Sequence, residues 1–137
     1  MTFTEFLNKY SGKKVDYDGK YGFQCVDLIR QYHQDVIGGR HTGAVTGAVE
    51  FWTRFGESKL PEYYNRHNIT MAEAGDIVVF DRSATNKYGH IALFIRKDKN
   101  GILVFEQDGL RQDGAKFAVR SLDRALGCLK PKEAIKV

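Results

Sequence analysis

The sequence predicts an α+β domain in which helices come first and an antiparallel sheet follows. Three observations carry this. Apolar residues repeat at helical spacing through the first half of the chain. Short β-rich runs replace that pattern from Gly75 onward. The stretch "DKNG", residues 98 to 101, is a strong hairpin signal between two of those runs.

The first helix is expected in "TFTEFLNKY", where Phe3, Phe6, Leu7 and Tyr10 fall on one side and Thr2 serves as N-cap. The second is "CVDLIRQYHQDVI", with Cys25, Ile29, Tyr32 and Val36 on one stripe and Gly38-Gly39 as its stop. A third, weaker helix is expected in "TGAVTGAVEFWTRF", because its glycines cost helix propensity. Strands are expected in "GDIVVF", "GHIALFIRK", "GILVFEQD" and "AKFAVRSL". The strand after His90 has apolar residues on both faces and is therefore expected at the centre of the sheet.

With 137 residues and 42% apolar content, residues 1–137 are read as one domain with its own core. No apolar run approaches the ~18 residues of a membrane span. The N-terminus has no long apolar stretch after a basic start, so no signal peptide is expected. Two cysteines form neither a disulfide framework nor a four-ligand zinc site, and both thiols are expected free in a reducing cytoplasm. The net charge of +4 favours anionic partners. The basic residues are scattered, however, and form no stripe interleaved with aromatics, which argues against nucleic acid.

Cys25 falls at the first turn of its helix, where unpaired N–H groups and the helix dipole favour a thiolate, the nucleophilic form. The competing reading is a small buried hydrophobe. His90 opens the central strand and needs a hydrogen-bond partner there. Glu106 shares a strand face with Ile102 and Val104, and a carboxylate on an apolar face is costly unless paired. An imidazole is its natural partner, and a carboxylate is what orients a catalytic imidazole.

Hairpin geometry decides whether the two meet. A two-residue Asn-Gly turn puts His90 and Glu106 on opposite faces. A three-residue loop, Lys99-Asn100-Gly101 with Gly101 left-handed, puts them on the same face and is the expected form. Asp108 shares that face and pairs closer to His90, so it stays open as a rival third member. Trp52 is kept as a candidate for a substrate groove, and Asp81 and Arg82 as candidates for the cleft wall. His33 and Cys128 are read as structural, and His41 and His67 as lying in loop-like stretches with no ligand spacing.

The segments "YGFQCVDL", "AGDIVVF", "YGHIALFI" and "VFEQD" occur in the order seen in CHAP domains. The chain resembles that family, the cysteine, histidine-dependent amidohydrolase/peptidase fold of papain-like enzymes that cut peptidoglycan. The resemblance spans roughly residues 10 to 131 and implies a papain-like fold with N-terminal helices packed on the sheet. It places the nucleophile on Cys25, the base on His90 and the acidic orienter on Glu106. The fourth polar position, often asparagine in the family, holds Asp108 here. The Cys25 backbone N–H, helped by Gln24, is the implied oxyanion site. The implied activity is cleavage of a wall amide, as N-acetylmuramoyl-L-alanine amidase or as endopeptidase.

The resemblance to phage endolysins further implies synthesis in the host cytoplasm and action on the wall. It implies bacterial peptidoglycan as partner, with a separate wall-binding domain or subunit, and neither nucleic acid nor membrane. Two other classes stay open: a non-catalytic wall- or nucleic-acid-binding module, and a same-fold cysteine amidase acting on another amide.

The loop "DYDGKYGFQCVD" numbers Asp16, Asp18, Lys20, Gly22 and Asp27 as positions 1, 3, 5, 7 and 12, an EF-hand-like calcium spacing. Some phage CHAP domains are similar in binding calcium here, so calcium is the one cofactor expected. Lys20 offers only its carbonyl, and Asp replaces Glu at the last position. An Asx-type turn without metal, balanced by the Lys20 ammonium, is the alternative.

Overall fold

A computed structural model describes residues 1–19, 24–108, 111 and 113–137. Helix α1 spans Phe3–Tyr10. Thr2 caps it by accepting from the Glu5 N–H at 3.1 Å while Glu5 accepts from the Thr2 N–H at 2.9 Å. Its buried face carries Phe3 and Phe6. Helix α2, Cys25–Tyr32, continues into a π-helical turn, His33–Ile37, that stops at left-handed Gly38. These bounds follow the expected ones closely.

The expected third helix shrinks to α3, Glu50–Thr53. Its glycines explain the loss. Gly43 has φ of 103°, outside the helical region for L-residues. Gly47 lies so close to Tyr88 that a Cβ there would meet the tyrosine Cβ at 2.8 Å. The loop before α3 is thus fitted against the approach to His90, and it is held there by the Val49 N–H donating to the Tyr88 carbonyl at 3.0 Å.

The sheet has six antiparallel strands: β1 Tyr64–His67, β2 Ile77–Phe80, β3 His90–Asp98, β4 Gly101–Gln107, β5 Ala115–Arg120 and β6 Ala125–Pro131. Their spatial order is β1-β6-β2-β3-β4-β5. As expected, β3 is central and flanked by β2 and β4. Two strands, β1 and β6, escape the sequence reading, and His67 lies in the first of them rather than in a loop.

The core has two parts. Phe6, Leu28, Ile29 and Tyr32 of the helices meet Ile77, Val79, Ile91, Leu93, Phe105 and Leu129 of the sheet. The opposite face gathers Val78, Phe80, Ala92, Phe94, Ile102, Val104 and Cys128. Burial of each large apolar side chain contributes about 1.5–3 kcal/mol, so helices and sheet hold one another in register.

The hairpin corrects the expected loop. Its turn has two residues, Lys99 and Asn100, closed by the pair Asp98↔Gly101. On that register alone His90 and Glu106 would face opposite ways. A β-bulge at Ile95 resets it: Arg96 pairs with Leu103 but Phe94 pairs with Val104. One extra residue in β3 shifts the parity of everything upstream and brings His90 onto the face of Glu106. Gly101 does have a positive φ, 139°, but as the first residue of β4. A Cβ there would lie 2.1 Å from the Arg120 carbonyl, so the glycine admits the end of β5.

Candidate active site

Cys25 is the first residue of α2 and is half-buried. Two devices fix that helix start. Asp27 accepts from the Gln24 N–H at 3.0 Å, a capping contact that also places a carboxylate at the positive helix end. Gln107, fully buried in β4, donates to the Gln24 carbonyl at 2.9 Å. It also binds Val15 on both sides, accepting from its N–H at 2.8 Å and donating to its carbonyl at 2.7 Å. The strand is thereby tied to both ends of the loop that precedes the cysteine.

His90 begins β3 and lies near enough to Cys25 for the thiol to help raise the imidazole. Its Nε2 lies 2.9 Å from Glu106 Oε1, with the two side chains 12% and 2% exposed. The carboxylate can only accept, so Nε2 carries the proton and donates. Nδ1 is then left for the thiol. Glu106 is gripped a second time: Arg120 Nε donates to Oε1 at 2.7 Å and its terminal nitrogen to Oε2 at 2.6 Å. The result is a row Cys25–His90–Glu106–Arg120 whose central pair is buried and whose two ends are half-buried.

Electrostatics follow from this packing. Burial disfavours charge on His90, yet its hydrogen bonds and attraction to Cys25 and Glu106 prevail and lift it to about 9. Burial alone would raise Glu106, but the bonds and charges of His90 and Arg120 bring it down to about 2. The carboxylate is therefore ionised at every physiological pH.

Asp108 follows the end of β4, forms an ion pair with Arg111 at 3.8 Å and faces a cavity of about 350 Å³ beside His90. Asp81, Asn86, Arg120 and Arg124 also line it. Glu106, not its rival, holds the imidazole Nε2. Asp81 thus reaches the cleft as expected. Arg82 sits beside it, its N–H bonded to Asp81 Oδ1 at 2.7 Å. Trp52 does not line the cavity beside His90: its ring packs on Gly127, and the Arg66 guanidinium lies 5.2 Å above it. The indole is occupied as core cover. Gln24 supplies the N-cap residue, and its own N–H is taken by Asp27, so only its side chain could help an oxyanion. His33 is buried against the Tyr64 hydroxyl at 2.7 Å, and Cys128 is buried in β6 with its thiol pushed up to about 11 by burial.

The carboxylate oxygens of Asp16, Asp18 and Asp27 lie within 4.8 Å of one another. Burial first, then the bond from Gln24 and the nearby charges of Asp18 and Asp16, set Asp27 at about 6, above the ordinary aspartate value. Three hard oxygen donors at this spacing fit a calcium ion. Arg30 lies 3.7 Å from Asp18 Oδ2 and offers partial compensation without metal. Lys20 and Gly22, the other two predicted ligands, lie outside the described residues.

Sequence reading missed Gln107 and Arg120. Gln107 had a usable signal, a polar residue alternating with buried ones in "LVFEQ". Arg120 had none, because its partner depends on the register of β5 against β4, Ile102↔Arg120, across a connection the sequence does not specify.

Comparison with known proteins agrees with this geometry. Endolysin PlyTW of Staphylococcus phage Twort is 33% identical over 93 residues, covering 66% of this chain but only 19% of that protein. The solved wild-type endolysin LysIME-EF1 superposes with a TM-score of 0.73 at 24% identity, covering 93% of this chain and 61% of that one. Ly7917, solved with the hydrolysing product of MDP, gives 0.68 at 19% identity, covering 96% of this chain and 63% of that one. The chain thus spans a fifth of the phage protein and under two thirds of the solved ones. The two superpositions establish a shared α+β, papain-like fold. A family model described as CHAP domain matches residues 14–108, which hold Cys25, His90, Glu106 and Asp108. The chain belongs to the CHAP domain family.

Proposed function

We propose that this domain is a peptidoglycan hydrolase that cleaves an amide of the bacterial wall through a cysteine nucleophile. The observation that carries the reading is the chain Cys25–His90–Glu106, with the thiol at a helix start and the imidazole held on a buried carboxylate. Cys25 Sγ attacks the amide carbonyl as a thiolate whose proton is already held on His90 Nδ1, the cationic imidazole being favoured by Glu106. The tetrahedral oxyanion is held by the Cys25 N–H, one of the unpaired donors of the first helical turn, with the Gln24 side chain beside it. His90 returns its proton to the leaving amine, and a thioester remains on Cys25. Water, deprotonated by His90, then attacks the thioester and releases the acid. Glu106 stays ionised throughout and stabilises each imidazolium state.

Endolysin relatives support the wall as substrate, and the greater length of the phage relative supports a partner domain or subunit that anchors to it. We further propose that Asp16, Asp18 and Asp27 bind calcium, which would relieve their mutual repulsion and fix the start of α2. Mass analysis of fragments released from purified walls tests the substrate and names the bond. An amidase frees stem peptides from the glycan, whereas an endopeptidase leaves peptide on the sugar and exposes a new amine within the peptide. Intact walls after prolonged incubation with folded enzyme would reject the substrate assignment.

A further inference from the structure

The catalytic chain does not end at Glu106. Its carboxylate is almost wholly buried and accepts three hydrogen bonds, two of them from Arg120 in a fork that covers both oxygens. Oε1 is shared: it receives His90 Nε2 at 2.9 Å and Arg120 Nε at 2.7 Å. The guanidinium is planar, so this two-point grip fixes the rotation of the carboxylate as well as its place. Arg120 lies in β5, outside residues 14–108 that match the family model. Its approach depends on Gly101, where any side chain would meet the Arg120 carbonyl.

We propose that Arg120 is a positioning residue of the active site: its fork holds Glu106 so that Oε1 always meets His90 Nε2, which keeps the imidazole proton on Nε2 and the Nδ1 lone pair toward Cys25. The role needs both features of arginine. Its charge lets a buried carboxylate stay ionised when His90 is neutral. Its geometry stops the carboxylate from turning away at the moment His90 gives up its proton. A lysine would keep the first and lose the second. Among the described residues, the charged or titratable groups around the imidazole are Cys25 from α2, Glu106 from β4 and Arg120 from β5, with Asp81, Asp108, Asp123 and Arg124 lining the adjoining cavity. Removing one positive charge from this set raises the proton affinity of its neighbours, so the acid limb of activity should move upward.

The inference rests on the hydrolase reading for its kinetic arm but not for its spectroscopic one. The test compares wild type, Arg120→Lys and Arg120→Gln. Turnover on purified walls should fall about tenfold or more in both variants, with KM within about twofold, the pattern of a lost transition-state contact. The acid limb should rise by roughly one pH unit in Arg120→Gln and hold its place in Arg120→Lys. Nitrogen-15 NMR of the His90 ring, in a Cys25→Ala background at a pH where the imidazole is neutral, should show one Nε2–H tautomer when Arg120 is present. Both substitutions should give a tautomer mixture. A folded Arg120→Lys variant with wild-type turnover and a single tautomer overturns the proposal, whether or not Arg120→Gln folds. If wild type leaves walls intact, the hydrolase reading fails and the tautomer result alone decides the role of Arg120.

Discussion

At the residue scale the site is an argument about one buried charge. Burial alone would push Glu106 above its ordinary value, and His90 and Arg120 reverse that. Replacing Glu106 by Gln removes the charge that supports the imidazolium while keeping the shape. Turnover should drop on the order of a hundredfold or more, as expected for loss of an orienting carboxylate, with the folded structure retained by circular dichroism. The pH dependence of stability has two signs. His90 is raised from 6.5 to about 9 in the fold, so its contribution is complete below pH 6.5 and disappears as pH climbs to 9. Glu106 is depressed from 4.5 to about 2, so its contribution is complete above pH 4.5 and disappears as pH falls to 2. Asp27 is raised from 3.8 to about 6, so its contribution falls as pH rises through that range, and urea unfolding across pH should show above it a further alkaline decline of at most a few kcal/mol that His90→Gln flattens. An alkaline decline unchanged in that variant would place the titrating group elsewhere. Cys25, His90 and Glu106 were legible because each breaks a local pattern: a thiol at a helix start, an imidazole at a strand start, an acid on an apolar face.

At the scale of elements, the helices were legible and part of the sheet was not. Strands β2 to β5 announce themselves by β-branched and aromatic runs. Strand β1, "YNRH", buries only Tyr64 at the sheet edge, and β6, "ALGCLKP", is diluted by a glycine and a proline. That glycine is needed because a Cβ at position 127 would collide with the Trp52 ring at 2.4 Å. The sequence pattern correctly demanded a one-residue offset in the β3–β4 hairpin but located it in the turn. It lies instead at Ile95, where the bulge is a tertiary solution that no turn residue encodes. Deleting Ile95 should restore regular pairing and turn His90 away from Glu106. We expect activity below a hundredth of wild type with far-ultraviolet dichroism preserved; a fully active deletion would mean that the bulge does not set the register. Gln107 links β4 to the cysteine loop through three bonds. Gln107→Leu leaves the Val15 N–H and the Val15 and Gln24 carbonyls without that partner and should cost about 2–4 kcal/mol in urea unfolding, with a larger loss of activity than Leu103→Ala at equal stability.

At the scale of the whole molecule, the proposed active site is assembled from pieces far apart in sequence: a helix start at 25, a strand start at 90, a strand end at 106 and a third strand at 120. The sheet brings the last three together, and the helix face of the core docks the first onto them. Calcium enters at this scale, because the loop carrying Asp16 and Asp18 connects α1 to α2. If the ion binds, chelation should lower the melting temperature and the lytic rate together, and the double change Asp16→Ala and Asp18→Ala should mimic chelation and no longer respond to added calcium. A chelator that changes neither would assign the balancing charge to Arg30 and the loop lysine. The central claim is that Cys25 cuts a wall amide, and the most direct measurement is release of soluble fragments from purified walls by wild type, Cys25→Ala and Cys128→Ser at equal folded concentration. The account predicts fragments from wild type and from Cys128→Ser at comparable rates and none above background from Cys25→Ala. Fragment release by Cys25→Ala at the wild-type rate would contradict it.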